Sequence, residues 1–334
     1  MKDVYLLAIE SSCDETAASV VKNGNEIISN VVSSQIDVHS QFGGVIPEVA
    51  SRIHVENISL VIEKAMKDAN MEYSALDGIC FTQGPGLIGS LHVGVQAAKT
   101  LAFAHHLPLI PVHHITGHIY ANAFVDEIKF PMLALVVSGG HTELVYMKED
   151  YSFEVVGTTQ DDAIGEAYDK VARVLGLPYP GGPQIDRLAK TGEATYPLPK
   201  PKTENELDFS FSGLKSAVIQ SMDRLRRRNE EMIPANMAAS FQEAALGQLW
   251  DRVDKALELY KPAHFVIAGG VAANSRLREL VTENMKKYPN ISYTIPPLWC
   301  CTDNAAMIGA SGYHAFLKDI RANEDVGANP SLQM

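Results

Sequence analysis

Residues 4–9, Val-Tyr-Leu-Leu-Ala-Ile, form an almost unbroken apolar run. That pattern suits a strand buried on both faces. Two further apolar segments, 17–21 and 27–33, flank Asn23-Gly24-Asn25 and predict a hairpin. Between 47 and 69 the period changes. Val49, Ile53, Ile58, Ile62, Ala65, Met66 and Ala69 recur at helical spacing. A short strand over 77–82 stops at Gly84-Pro85-Gly86, and a helix rich in small residues follows over 89–105. A strand over 109–112 leads into a helix carrying His114 and His118.

The pattern then restarts. An apolar strand over 132–137 breaks at Ser138-Gly139-Gly140, 142–147 alternates as its hairpin partner, and 155–159 extends the sheet. The chain next turns mostly helical, with helices predicted over 161–175, 183–190, 213–228 and 235–259. A strand over 263–267 ends at Gly269-Gly270, a helix follows over 272–287, and a last strand spans 291–295. A final helix over 303–317 closes the pattern. Both halves open with an apolar strand, a sharp turn and a second strand. Their layout suggests a duplicated α/β plan.

Length and composition fit this reading. The chain has 334 residues and is 46% hydrophobic, enough for two domains with cores of their own. We place the lobes at 1–130 and 131–321, the second with a helical insertion at about 161–235, and read 322–334 as a polar tail that frays. No apolar run has the length of a membrane span, and the opening residues enter a strand rather than a signal peptide. Cys13, Cys80, Cys300 and Cys301 have no framework spacing, which points to a reducing, cytoplasmic setting. The net charge of −12 argues against a chain that attracts nucleic acid by its whole field. The one dense basic run, Arg224-Leu-Arg-Arg-Arg228, reads by itself as a solvated helix end.

Several constellations carry possible chemistry. His114 and His118 are one helical turn apart, so both rings leave the same face, as in two-histidine metal sites. A zinc protease places glutamate after the first histidine; here that position is Ile115. Asp303 is a natural helix cap and equally a hard oxygen ligand, and spacing does not tie it to the histidines. Ser138-Gly139-Gly140 fits either a phosphate-approaching loop or a tight hairpin, with His141 beside it. Gly269-Gly270 and Asn274 open a helix and fit a nucleoside or a plain cap. Asp161 and Asp162 read as dipole partners of the helix they start, whereas Asp169 and Asp186, around the Gly181-Gly182 loop, fit ribose hydroxyls.

Together these segments resemble one family in order. They are Gly43-Gly-Val-Ile-Pro-Glu-Val-Ala-Ser-Arg52, Thr82-Gln-Gly-Pro-Gly86, His113-His-Ile-Thr-Gly-His118, Val137-Ser-Gly-Gly-His-Thr142, Gly181-Gly-Pro183, Phe209-Ser-Phe-Ser-Gly-Leu-Lys215, Gly269-Gly-Val-Ala-Ala-Asn274 and Cys301-Thr-Asp-Asn304. The chain looks like the tRNA adenosine threonylcarbamoyltransferases, the TsaD family once called O-sialoglycoprotein endopeptidases, over roughly residues 3–318. The resemblance implies a two-lobed actin-like ATPase fold (actin/Hsp70/sugar kinase) with the nucleotide between the lobes. It implies one divalent metal, Fe2+ or Zn2+, on His114, His118 and Asp303. It implies that Val136, Val137, Ser138, Gly139 and Gly140 cradle the phosphoryl and threonylcarbamoyl part, and that Asp169, Gly182, Asp186 and Asn274 contact the nucleoside. ATP, ADP or AMP would fit the same site. The implied reaction moves threonylcarbamoyl from threonylcarbamoyl-AMP to the exocyclic amine of adenosine 37, in tRNAs reading codons that begin with A. TsaB and TsaE are the implied partners and TsaC the supplier of the adenylate. Glu10, Asp14 and His141 are candidates for removing the amine proton. A metallopeptidase is the alternative reading, supported only by the histidine pair.

Overall fold

The structure is a computed structural model that describes residues 2–201 and 203–334. The first strands are β1 (Tyr5–Glu10), β2 (Glu15–Lys22) and β3 (Glu26–Ser34). A short helix α1 (Ile36–Ser40), not anticipated from the pattern, precedes α2 (Pro47–Ala69). Pro47 opens α2, where its missing N–H costs nothing, and Asn70 ends it in the left-handed region. Then come β4 (Gly78–Gly84), α3 (Ile88–His105), β5 (Leu109–His113) and α4 (His114–Tyr120). The sheet runs β3-β2-β1-β4-β5, with β1 antiparallel to β2 and parallel to β4.

The second unit contains β6 (Met132–Val137), β7 (Thr142–Met147), β8 (Glu154–Thr158), α5 (Ile164–Val174), α6 (Gly181–Ala189), α7 (Ser212–Arg227) and α8 (Pro234–Tyr260). It continues through β9 (His264–Ala268), α9 (Ser275–Asn284), β10 (Ser292–Thr294) and α10 (Leu298–Cys301). Its sheet order is β10-β9-β6-β7-β8. Read from the other edge, this repeats the first sheet strand for strand. β6 is antiparallel to β7 and parallel to β9, as β1 is to β2 and β4. The duplicated layout is therefore a duplicated topology.

The last helix, α11 (Ala305–Leu317), returns to the first sheet. The two units are Lys129–Cys301 and the remainder, with Thr302–Met334 in the first unit. This corrects the expected lobe over 131–321. The reason lies in β1 and β4, where alternate side chains serve two layers. Leu7, Ile9, Ile79 and Phe81 join the cluster under α2 and α3. Ala8 and Cys80 face α11 instead, and Gly309 and Gly312 let it approach them closely. The apolar run at 4–9 needs α11 on its second face. The fraying tail is also corrected: Ala322 N–H donates to Leu109 O at 2.8 Å and Asn329 N–H to Gln83 O at 2.8 Å.

Among the described residues no helix is long and apolar enough to cross a membrane. All four cysteines are free thiols, three of them buried.

Candidate metal centre and glycine loops

α4 begins where β5 ends, so His114 and His118 stand on the first two turns beyond a sheet strand. Both are nearly inaccessible to solvent. Their rings meet edge to face, with centroids 4.8 Å apart. Asp303 reaches them from the segment before α11. Its Oδ1 lies 3.1 Å from His118 Nε2 and 3.6 Å from His114 Nε2. One ligand atom from each of the three residues lies within 4.8 Å of the others.

Why Asp303 is available follows from its neighbour. The sequence makes Asp303 a candidate cap, but Asn304 takes that role: its Oδ1 accepts Met307 N–H at 3.1 Å. Asn304 Nδ2 donates to Thr302 O at 2.8 Å, fixing the turn that aims Asp303 at the histidines.

Glu10, at the end of β1, is fully buried behind His114. Its Oε2 lies 3.1 Å from His114 Nδ1 and accepts Thr82 Oγ1–H at 2.6 Å. Its Oε1 accepts Ser12 N–H. Ser12 Oγ also lies 3.1 Å from His114 Nδ1. With Nδ1 held by a carboxylate, His114 turns Nε2 toward Asp303, which is how metal-binding histidines are usually oriented. Burial opposes a charged His114, but Asp303 and Glu10 outweigh it and push the ring up to about 9. Burial likewise raises Glu10, and the His114 charge more than reverses this, leaving Glu10 below its usual range. Close by, burial first and then Asp303 and Asp14 push Glu15 up to about 10. An anionic recess with two imidazoles favours a cation.

The donor set fits a divalent ion. Both ring nitrogens of His118 are buried without a hydrogen bond, although Nε2 sits near Asp303. Buried polar atoms are normally satisfied, so such a ring is an open request for a partner. Two imidazoles and a carboxylate suit zinc or non-haem iron.

Asp14, between β1 and β2, also lies in the first unit, and the other predicted residues lie in the second. Val136 and Val137 are wholly buried strand residues, so only their main chain can meet a ligand. Ser138, Gly139 and Gly140 form the β6–β7 turn; Ser138 N–H donates to His141 O at 2.8 Å and His141 N–H to Ser138 Oγ at 3.0 Å. The tight-hairpin reading of this diglycine is therefore real, and the glycines themselves are exposed. Gly165, at the start of α5, donates to Ser138 O at 3.1 Å and has no room for a Cβ against Gly139. Gly269, with φ of +89°, passes just as closely over Val137 O. The two glycine turns and the start of α5 thus converge.

Asp169 accepts Gly181 N–H at 2.7 Å, and burial raises its carboxyl above the usual value. Gly182 is next in line on α6, with open space around it. Asp186 accepts Ser275 Oγ–H at 2.8 Å, beside Asn274. Asn274 caps α9 through Leu277 N–H at 2.9 Å and donates to Gln242 Oε1 at 2.8 Å. Asp161 is a dipole partner as expected, but of α7 rather than α5. It accepts Ser210 Oγ–H, Phe211 N–H and Ser212 N–H at 2.5, 2.7 and 3.0 Å. Spacing does not reveal the link from Glu10 to His114, which lie 104 positions apart. Nor does it say which of the adjacent Asp303 and Asn304 caps α11, since both side chains suit a cap.

Comparison with known proteins identifies the family. The family model TsaD, described as tRNA N6-adenosine threonylcarbamoyltransferase, matches residues 26–310. The chain is 58% identical over 334 residues to the tRNA N6-adenosine threonylcarbamoyltransferase of Geobacillus thermodenitrificans, covering 100% of this chain and 98% of that one. It is 59% identical over 333 residues to the protein of the same name from Listeria welshimeri, covering 99% and 97%. Among solved structures, HypF of T. kodakarensis is similar with a TM-score of 0.65 at 15% identity, covering 97% of this chain and 49% of that one. That likeness concerns the fold alone.

Proposed function

The chain belongs to the TsaD family of tRNA N6-adenosine threonylcarbamoyltransferases, and from that premise we propose how its residues divide the work. It is an acyltransferase of tRNA modification that forms N6-threonylcarbamoyladenosine, on an actin-like fold. The donor is threonylcarbamoyl-AMP, the acceptor is adenosine 37 of tRNAs reading codons that begin with A, and AMP leaves.

The chemistry is attack of a weak aromatic amine on a mixed anhydride whose leaving group is already good. What the protein adds is placement and charge. His114, His118 and Asp303 would hold a divalent ion, Fe2+ or Zn2+, which would supply Lewis acidity and fixed positive charge. Glu10 and Ser12 orient His114. Ser138, Gly139 and Gly140, with the main chain of Val136 and Val137, face the phosphoryl end. Asp169, Gly182, Asp186 and Asn274 face the nucleoside, and the same residues suit ATP, ADP or AMP. Glu10 is engaged with His114, Thr82 and Ser12, so removal of the amine proton falls to Asp14 or His141. Rates of Asp14→Asn and His141→Ala at saturating donor distinguish the two. The buried His118 ring, with no hydrogen bond at either nitrogen, is the observation that carries the metal assignment.

The peptidase reading has nothing further in its favour. Ile115, where a protease glutamate would stand, is buried. The deciding experiment combines the chain, metal, threonylcarbamoyl-AMP and tRNA. His114→Ala should cut transfer at least a hundredfold and weaken adenylate binding; undiminished transfer rejects the metal's part.

We place TsaB on the groove between α2 and α3, a cavity of about 620 Å3 lined by Val55, Ile58, Ile62, Val93 and Leu101. Val55→Glu should abolish co-elution with TsaB; retained co-elution removes this surface. TsaE joins the same assembly, TsaC supplies the adenylate, and the work is cytoplasmic.

A further inference from the structure

Segment 322–334 lies against β5, α3, the end of β4 and the turn that follows β4. Asn329 N–H donates to Gln83 O at 2.8 Å and Gly86 N–H donates to Pro330 O at 3.3 Å. Gln83 Nε2 donates to Gly327 O at 3.3 Å and Lys99 Nζ to Val326 O at 3.0 Å. At Gly84, the three atoms nearest to where a Cβ would stand are Asn329 O, Asn329 C and Leu332 Cβ, all from this segment. The last contact reaches His113, whose Nε2 lies 3.0 Å from Leu332 O.

His113 is the cap of α4. Its Nδ1 accepts Ile115 N–H at 3.2 Å. A neutral imidazole has one donor and one acceptor nitrogen. With Nδ1 accepting, the proton sits on Nε2 and is donated to Leu332 O. The carbonyl of Leu332 therefore fixes the tautomer in which His113 can cap the helix. The helix begins at the next residue, and its first and fifth residues are His114 and His118.

We propose that Asn329–Leu332 is a positioning strap for α4, which holds His113 as the cap and through it sets where the His114 and His118 rings stand. The inference rests on reading His114, His118 and Asp303 as a metal centre. It assigns the strap no contact with substrate. A segment that merely adds stability would shift melting and leave the metal's surroundings unchanged.

The test titrates Co2+, a metal with visible ligand-field bands, into four proteins. These are the full chain, a chain ending at Ala328, Gly84→Ala, and Gly84→Ala in the shortened chain. Loss of a cap on a ligand-bearing helix should weaken Co2+ binding about tenfold in the shortened chain, with changed band intensities. Gly84→Ala should do the same, because its methyl group displaces Asn329. In the shortened chain Gly84→Ala should add nothing. Where the shortened chain fails to fold, Gly84→Ala alone carries the test. Unchanged affinity and bands in the folded variants overturn the strap, as do fully additive effects of the two changes. If the full chain itself binds no Co2+, the metal-centre reading falls and the strap with it.

Discussion

Glu10 and His114 are paired within the first unit: Glu10 Oε2 lies 3.1 Å from His114 Nδ1, and Nε2 on the far side of that ring faces Asp303 at 3.6 Å. β1 supplies the carboxylate and α4 the imidazole. Replacing Glu10 by Gln keeps the volume but removes the charge that orients the ring. Loss of such an outer partner typically costs ten- to a hundredfold in metal affinity. We expect Glu10→Gln to weaken Co2+ or Zn2+ binding by about that much, and also to lower the thermal stability of the metal-free protein, because it removes the carboxylate paired with the buried His114 ring. Isothermal titration of the metal-free variant checks it, and wild-type affinity would show that Glu10 does not support the ring.

Asn304 has a different task, to release Asp303 from capping. Asn304→Ala removes an N-cap acceptor and should cost about 1 kcal/mol of stability. It also leaves Asp303 as the nearest side chain able to cap α11, drawing it from the histidines. Asn304→Asp keeps an acceptor and should restore most of the stability. Urea unfolding of both variants, with metal titrations alongside, reads the two effects. Equal metal affinity in Asn304→Ala and wild type would separate the cap from the site.

The sequence patterns made most of this architecture legible, for a physical reason. Strand and helix periods are local, so β1, β4, α2, α8 and the His114–His118 pair could be read from neighbours alone. What spacing could not give were pairings between distant segments. Asp303 joined the histidines only through the family resemblance. Position suggests that Asp161 serves the helix at whose start it stands, yet it caps α7, because Ser210, Phe211 and Ser212 present four donors to it. The polar tail reads as free because its main chain makes many of its contacts, which leave no mark in hydropathy, and only the scattered Ala322, Val326 and Ala328 pack on the core.

Packing of α11 sets a stability prediction. A Cβ on Gly309 would stand 2.6 Å from Val21 Cγ2 and 3.4 Å from Ala8 Cβ. Overpacking of this kind costs about 1–3 kcal/mol. Gly309→Ala should lower stability by that amount, and Val21→Ala in the same chain should return part of it. A double-mutant cycle in urea measures the coupling; simple additivity would mean that α11 shifts rather than clashes.

Asp161 gives a pH signature. Burial raises its carboxyl, but hydrogen bonds from Ser210, Phe211 and Ser212 more than reverse this, leaving it below the ordinary carboxylate value. A group whose folded value is depressed stabilises above its unfolded value of roughly 4, and loses that contribution as pH falls through the folded value. Asp161→Asn should therefore melt lower than wild type at neutral pH, and the gap should close as the pH drops below about 4. Melting curves between pH 7 and pH 3 check this. A gap that persists unchanged at pH 3 would mean that the charge is not what holds the start of α7.

The substrate poses the last problem, because tRNA is a polyanion and the chain carries a net charge of −12. The exposed arginines at the end of α7, Arg224, Arg226, Arg227 and Arg228, are the densest positive group in the sequence, though Asp223, Glu230 and Glu231 flank them. Phosphate contacts release counterions, so each one adds about 0.9 to the slope of log affinity against log salt on duplex. If Arg226 and Arg227 each touch a phosphate, Arg226→Ala with Arg227→Ala should lower that slope by about 2 and weaken binding most at low salt. Intrinsic affinity of the isolated chain should be weak at physiological salt, because the whole-molecule field repels the ligand. Adding partner proteins should then raise affinity more than it raises the salt slope if they contribute surface other than cations. Tight tRNA binding by the chain alone, or a salt slope indifferent to both arginines, would place the RNA elsewhere on the molecule.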